Sequence, residues 1–384
     1  MDLDFSAEQD AFRSEIRAFL DEELPDGWVG LWHGADAPAH SDAVMEKLAA
    51  RGWHTYSWPQ EYGGRDGGVW EQTVIQEELF AHHEPRGGHY MGLNWIGPVI
   101  MKFGSPEQQA TLLPEIARGE VQWAQLFSEP DAGSDLASLR TRALPAEDGD
   151  GFVVNGEKIW TSYANLARRG FLLARTERGE SRHAGISVFV IDMDTPGIEV
   201  REVPSAVGNH RFHSVSFTDV RVPASALLGP LNGGWSVAMS ALPYERTGNA
   251  RYARSTRVLG FFEQSASLDA SAEKGIAEVL AYGRMTELLN HRLVWMRERE
   301  DQPTWEPSAT FAATAEYETL VGDLVEEHMG YLPFVSVPDP NAVCGGEVES
   351  FTVCQAPTVK LQAGTYEIQL SIVGQQALNL PRGR

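Results

Sequence analysis

Cysteine is almost missing from this chain: among 384 residues only Cys344 and Cys354 occur, both late. A disulfide scaffold is therefore excluded as the basis of stability, and a reducing compartment, the cytoplasm, is expected. Positive charge is scarce as well. Lysine and arginine number 31 against 54 aspartates and glutamates, for a formal net charge of −23. So acidic a surface repels phosphate backbones and anionic lipid, so neither nucleic acid nor a membrane is an expected partner. No apolar run approaches the roughly 18 residues of a membrane helix. Met1 to Asp10 is acidic and lacks the apolar core of a secretory leader, so none is expected. There is no internal repeat. No GxGxxG occurs, so a doubly wound dinucleotide domain is not indicated. Gly151 to Gly156 comes nearest to a phosphate loop, but Glu157 stands where lysine is needed. A GxSxG nucleophile elbow is also missing. His82-His83-Glu84 and His210-x-x-His213 are the nearest metal patterns. Adjacent histidines diverge on a helix and the second pair lacks a third ligand, so no metal is expected.

What is present reads as globular. Hydrophobic residues make up 42% and charged ones 22%, and the length suits two or three domains. Residues 4–23 predict an amphipathic helix, with Ser6 and Gln9 as a capping box and Phe12, Ile16, Phe19 and Leu20 at helical spacing. Further helices are expected over Ser41 to Arg51, at about 69–83 and 92–103, and after a cap at Ser105 with Gln108. From Gln122 the texture changes. Residues 151–154, 170–174, 185–191, 198–203 and 214–218 are β-branched and aromatic, separated by short turns. They predict a small antiparallel β domain. At Gly233 helical periodicity returns: Trp235, Ala238, Met239, Leu242, Glu245, Arg246 and Tyr252 share a stripe, with Asn232 as its expected cap and Pro243 as a kink. Helices follow at about 272–299 and 306–330, then an irregular stretch over 331–355, then a last helix from Tyr366 to about Leu378. The fold class is α+β: a helical domain over 1–120, a β domain over 121–231 and a helical region over 232–384.

One stretch stands apart. Gln125 to Asp135 turns at Pro130 and Gly133 and ends in small donors. Glu157 to Ser162 carries Trp160 between short polar residues on an expected strand. Together they suit a flat, polar-edged heterocycle. Trp160 offers a ring face, while Ser128, Ser134, Ser162 and backbone N–H groups of the turn offer edge hydrogen bonds.

In Leu3 to Gln9, Trp58 to Gly64, Phe103 to Gln109, Ser128 to Asp135, Asn155 to Ser162, Phe217 to Pro223 and Gly364 to Gln369, in that order, the chain resembles the acyl-CoA dehydrogenases. It looks most like heteromeric actinobacterial members that act on steroid side-chain thioesters. The resemblance implies a helical N-terminal domain, a β middle domain and a C-terminal four-helix bundle. It implies FAD as cofactor, α,β-dehydrogenation of an acyl-CoA, and an electron-transfer flavoprotein as acceptor. It further implies that Gln125, Phe127, Ser128, Gly133 and Ser134 pack on the flavin ring and ribityl chain. Trp160 and Ser162 then cover the ring's other side, and Thr365 and Glu367 contact the cofactor. Leu126-Phe127 departs from the family's usual pair of a small and an aliphatic residue.

Removing a proton next to a thioester takes a positioned carboxylate of raised pKa. Many relatives place it just before Gly-Thr, but here Ala363 precedes Gly364-Thr365 and cannot act as a base. A subset places it before an arginine on the first C-terminal helix. Here that is Glu245, followed by Arg246. Glu245 comes three residues after Leu242 and seven after Ala238, on the inward stripe. Glu245 is the expected base, with Arg246 orienting it or the substrate. Relatives also carry Arg-x-x-Phe-Gly after that helix and Gln-x-x-Gly-Gly before the last, which hold the far half of FAD in a neighbouring subunit. Neither occurs here; only Cys344-Gly345-Gly346 remains. The expectation is a heterotetramer in which a homologous partner chain supplies the adenine side. Two other readings stay open: a non-catalytic partner subunit, which would have no use for an inward Glu245, and a flavin oxidase of nitroalkanes, which would prefer aspartate as base.

Overall fold

The structure is a computed structural model that describes residues 3–31, 34, 36–205, 212–247, 250–265 and 269–381, leaving out the side chains of residues 243, 245–247 and 265. In chain order come α1 (Ala7–Glu23), α2 (Ala37–Ala50), α3 (Val69–Ala81), α4 (His89–Met91), α5 (Gly97–Phe103) and α6 (Pro106–Ala117). Then follow β1 (Trp123–Leu126), β2 (Arg142–Pro145), β3 (Phe152–Ser162), β4 (Arg169–Arg175), β5 (Ile186–Asp192), β6 (Ile198–Val203), β7 (Phe212–Val222) and β8 (Leu227–Leu228). Last come α7 (Gly234–Thr247), α8 (Arg251–Ser265), α9 (Ala270–Glu298), α10 (Glu306–Met329), α11 (Glu347–Glu349) and α12 (Tyr366–Gln376). The helix–strand–helix order is the predicted one. The chain packs as two compact units.

One unit holds Met45–Asp66 and Arg86–Glu245. Its sheet runs β6-β7-β3-β2-β4-β5-β8, with β1 on β4. Successive strand residues face opposite sides, and here each side meets a core. Phe171, Leu173, Val188 and Val190 join Trp58, Ile96, Leu113 and Trp123 in one cluster. Leu172, Ala174, Phe189 and Ile191 join Val154 and Phe217 in another. That is why β4 and β5 read as nearly unbroken apolar runs; each large side chain so buried contributes about 1.5–3 kcal/mol. The sheet departs from the expected all-antiparallel form. β1 runs parallel to β4, and β2 meets β4 in parallel at Arg142 and Arg175 while pairing antiparallel with β3. β1 and β2 have four residues each and β8 has two, too few to show a period. Ser105 and Gln108 make the predicted capping box of α6. Asn232 is not the cap of α7: its backbone sits at φ +64, its Oδ1 accepts from Thr176 and its N–H donates to Ser187. The stripe expected to run on as one helix is two, α7 and α8.

The other unit, Met1–Val44, Gly67–Pro85 and Arg246–Arg384, is helical. Ser6 and Gln9 close the predicted capping box of α1. α1 packs along α3, which is buried from Val74 to Phe80, Glu77 and Glu78 included. Buried carboxylates persist only with partners. Arg13 and Arg17 reach Glu78 at 3.1 and 2.9 Å. Glu77 takes Arg13 at 2.6 Å, His291 at 3.0 Å and the Tyr252 hydroxyl. α10 packs on α8, α9 and α12. Gly283 of α9 permits the approach to α10, since a Cβ there would stand 2.6 Å from the Tyr317 ring. Residues 331–355 are less irregular than expected: α11 and a wide turn over Ser350–Gln355 bury Val348 and Phe351. His82 meets the Glu78 carbonyl at 2.7 Å and His83 meets Glu347 at 3.0 Å; His210 lies outside the described residues. Among the described residues no group of three or more His, Cys, Asp or Glu could hold a metal, and no helix is long and apolar enough to cross a membrane.

Candidate functional site

The site starts where β1 runs out. Gln125 is half-buried on β1 opposite Phe171. Phe127 is buried against Phe171, ring centres 5.7 Å apart. Glu129 and Ala132 then exchange backbone hydrogen bonds of 2.9 and 3.0 Å around Pro130-Asp131, the tight turn that proline favours. Ser128 is half-buried at its mouth, and Gly133 and Ser134 are exposed beyond it. A Cβ on Gly133 would meet nothing within 4 Å. The chain itself does not require glycine there; close approach by something else would.

Trp160 comes to the same place from β3. Between Lys158 and Thr161 the β3–β7 register shifts, and in this bulge Trp160 sits at φ +60, the residue 55% exposed. For a bulky residue in a strand, that backbone costs on the order of 1–3 kcal/mol. Its ring leans edge-on against Phe212, centres 6.0 Å apart. Ser162 follows, half-buried. The turn and the strand are tied together: the Ile159 N–H donates to the Ser128 carbonyl at 2.9 Å.

Two residues that sequence reasoning assigned no role make the tie. Lys158 is fully buried, and its Nζ donates to the Phe127 carbonyl at 2.9 Å and to Glu129 Oε1 at 2.8 Å. Glu129 also accepts the N–H groups of Arg140 and Thr141 at 2.6 and 2.9 Å. Burial pushes the Lys158 ammonium down to about 8, with Glu129 opposing. Burial works against the Glu129 charge as well, but Lys158 and the hydrogen bonds prevail and hold that carboxyl below its usual range. The signal was available: Lys158 falls on the inward alternation of β3 with Phe152 and Val154, where a lysine needs a partner.

The structure thus brings Gln125, Phe127, Ser128, Trp160 and Ser162 together within one unit, with Gly133 and Ser134 on the adjoining loop. An exposed indole, half-buried small polar side chains and an open glycine suit the flat ring and polar edge of an isoalloxazine, so the residues present fit that end of a flavin. Thr365 and Glu367 belong to the other unit. There Thr365 caps α12 by accepting from the Ile368 N–H, and Glu367 is exposed in the first turn. Its carboxyl is held below the usual range by a hydrogen bond from its own backbone and by Thr365. Glu245 and Arg246 fall on the α7 backbone, but their side chains lie outside the described residues. Ala363, before Gly364, is at φ +49.

The family patterns of the acyl-CoA dehydrogenase N-terminal and middle domains match residues 6–120 and 124–220 of this chain. Over 383 residues the chain is 31% identical to the acyl-CoA dehydrogenase IpdE1 of Mycobacterium tuberculosis, covering 97% of each. The chain belongs to the acyl-CoA dehydrogenase family. It is a flavoprotein oxidoreductase acting on acyl-CoA, with FAD as cofactor. Among solved structures this acyl-CoA dehydrogenase is similar to the Tcur3481–Tcur3483 steroid ACAD, at 30% identity and a TM-score of 0.90 over 100% of both chains. It is also similar to a chain of the ChsE4–ChsE5 complex from Mycobacterium tuberculosis, at 28% identity and a TM-score of 0.87, again over 100% of both.

Proposed function

We propose that this chain is the catalytic, flavin-gripping subunit of a heteromeric acyl-CoA dehydrogenase that introduces the α,β double bond into the CoA thioester of a bulky, steroid-like acyl group. The observation that carries the proposal is the Trp160 indole, exposed at a strained backbone position beside the Ser128 turn. Gln125, Phe127, Ser128, Gly133 and Ser134 line one side of the ring site, and Trp160 and Ser162 the other. FAD, when bound, supplies the acceptor for the β-hydride. Glu245 takes the α-proton, and Arg246 orients it or the substrate. Two facts support Glu245. Ala363 holds the alternative position, and α7 buries Val237, Ala238 and Ala241, with Glu245 one turn further on. Taking a proton from so weakly acidic a carbon requires a carboxyl of raised pKa. Reducing equivalents then pass to an electron-transfer flavoprotein.

The acyl group is suggested by the steroid ACAD among the similar structures. A homologous partner chain is suggested by the two missing adenine-side motifs, and by relatives whose structures are named for two different chains.

The Glu245→Gln variant tests the base. Turnover is expected to fall roughly 100- to 10,000-fold while FAD stays bound with its normal spectrum. Normal turnover would remove Glu245 from the mechanism. The missing motifs equally suit a non-catalytic partner subunit. In that case the wild-type assembly would turn over acyl-CoA, and Glu245→Gln would leave its rate intact.

A further inference from the structure

Lys158 is the residue of the site that the reaction does not use. It has no exposed surface, while Trp160, two positions on, is 55% exposed. Strands ordinarily bury the tryptophan and leave the lysine in water. The bonds show what the exchange accomplishes. Lys158 holds the Phe127 carbonyl and the Glu129 carboxylate, and the next residue, Ile159, holds the Ser128 carbonyl. Neighbouring residues of the strand are thus bonded to neighbouring residues of the turn. Glu129 is anchored in its own right by the Arg140 and Thr141 N–H groups, so the pair ties the turn to a fixed point. The register shift that turns Trp160 outward begins at Lys158.

We infer that Lys158 and Glu129 are a positioning pair, locking the Ser128 turn and the Trp160 indole into the one arrangement on which FAD affinity and reduction potential depend. This rests on the flavin contacts proposed above for Ser128 and Trp160. Neither Lys158 nor Glu129 needs to touch the flavin. Lys158→Met would fill similar volume but take the Lys158 donor from the Phe127 carbonyl and the counter-charge from Glu129, which frees the turn to move against the indole.

The test compares FAD-loaded wild type with Lys158→Met, Glu129→Gln and Trp160→Gly, reading FAD dissociation constant, flavin absorption and reduction potential. Glu115→Gln is the control. Glu115 pairs with Arg169 at 2.9 Å, at the Trp123 end of β1 and away from the turn. Lys158→Met and Glu129→Gln are expected to weaken FAD binding about tenfold, or 1.4 kcal/mol, and to shift the potential. Glu115→Gln is expected to lower the melting temperature and leave the potential where it was. If Lys158→Met and Glu129→Gln bind FAD at wild-type affinity and potential while Trp160→Gly does not, the positioning role is wrong and the contacts stand. If Trp160→Gly is also indistinguishable from wild type, the contacts themselves are wrong and the inference falls with them. Should Lys158→Met fail to fold, Glu129→Gln decides the matter, because it keeps the side chain's volume and one carbonyl acceptor.

Discussion

At the residue scale, Trp160 and Lys158 carry costs that their own positions do not repay. A tryptophan at φ +60 is in a region suited to glycine, and more than half of the residue is exposed. Were Trp160 there for packing, removing it would destabilise the protein. If it is there for a ring, Trp160→Gly should relieve the backbone and leave the flavin-free protein as stable as wild type, or more stable by up to about 1 kcal/mol. FAD binding should weaken at the same time. Chemical denaturation of the FAD-stripped variant reads the first effect, and flavin titration the second. A marked loss of stability in the stripped variant would return Trp160 to the role of a packing residue.

At the scale of elements, the helical unit is held by buried charge as well as by apolar packing. Glu347 of α11 accepts a fork of hydrogen bonds from Arg257 of α8 at 2.9 and 3.0 Å, and lies 3.0 Å from His83, just beyond α3. Burial opposes its charge, yet these partners hold its carboxyl down at about 2. The sign follows. The unfolded chain binds the proton more readily, so the stabilisation is complete above the ordinary carboxylate pKa of about 4.5 and is lost as pH falls from there towards 2. Its size is on the order of 3 kcal/mol. Glu347→Gln should therefore lower the denaturation midpoint at pH 6 and make the midpoint less dependent on pH between 6 and 3. An unchanged slope would mean that Glu347 contributes nothing to acid lability. The same logic of paired burial explains α3, where Glu77 and Glu78 survive inside the unit because Arg13, Arg17, Tyr252 and His291 arrive with them.

At the scale of the whole molecule, a chain of net charge −23 ends in a helix that leaves Ile368 and Leu370 exposed, with Leu378 and Leu380 exposed just beyond. The missing adenine-side motifs call for a second chain. Expressed alone, this chain is expected to purify with little FAD. Co-expressed with a homologous acyl-CoA dehydrogenase chain, it should purify as a yellow hetero-oligomer that oxidises acyl-CoA. A stable, fully flavinated and active homo-oligomer of the lone chain would overturn the heteromer. Much of the molecule was legible before any coordinates. Local rules act over a few residues, so the Ser6 and Ser105 caps, the long helices and the β-branched runs of β4 to β7 could be read directly, and the motif order led to the family. The short strands β1, β2 and β8 could not be read, because their pairing partners lie far along the chain and supply the hydrogen bonds that make them strands. Nor could the break between α7 and α8, since one periodic stripe runs across it. At the site, the sequence alone determined which residue types the proposed ring site is built from: Ser128, Gly133, Trp160, Ser162. Only the tertiary structure decided that Trp160 faces outward while Lys158 is buried against Glu129. That exchange depends on a bulge in the pairing of β3 with β7 and on a turn some thirty residues earlier, and no local preference of either residue would produce it.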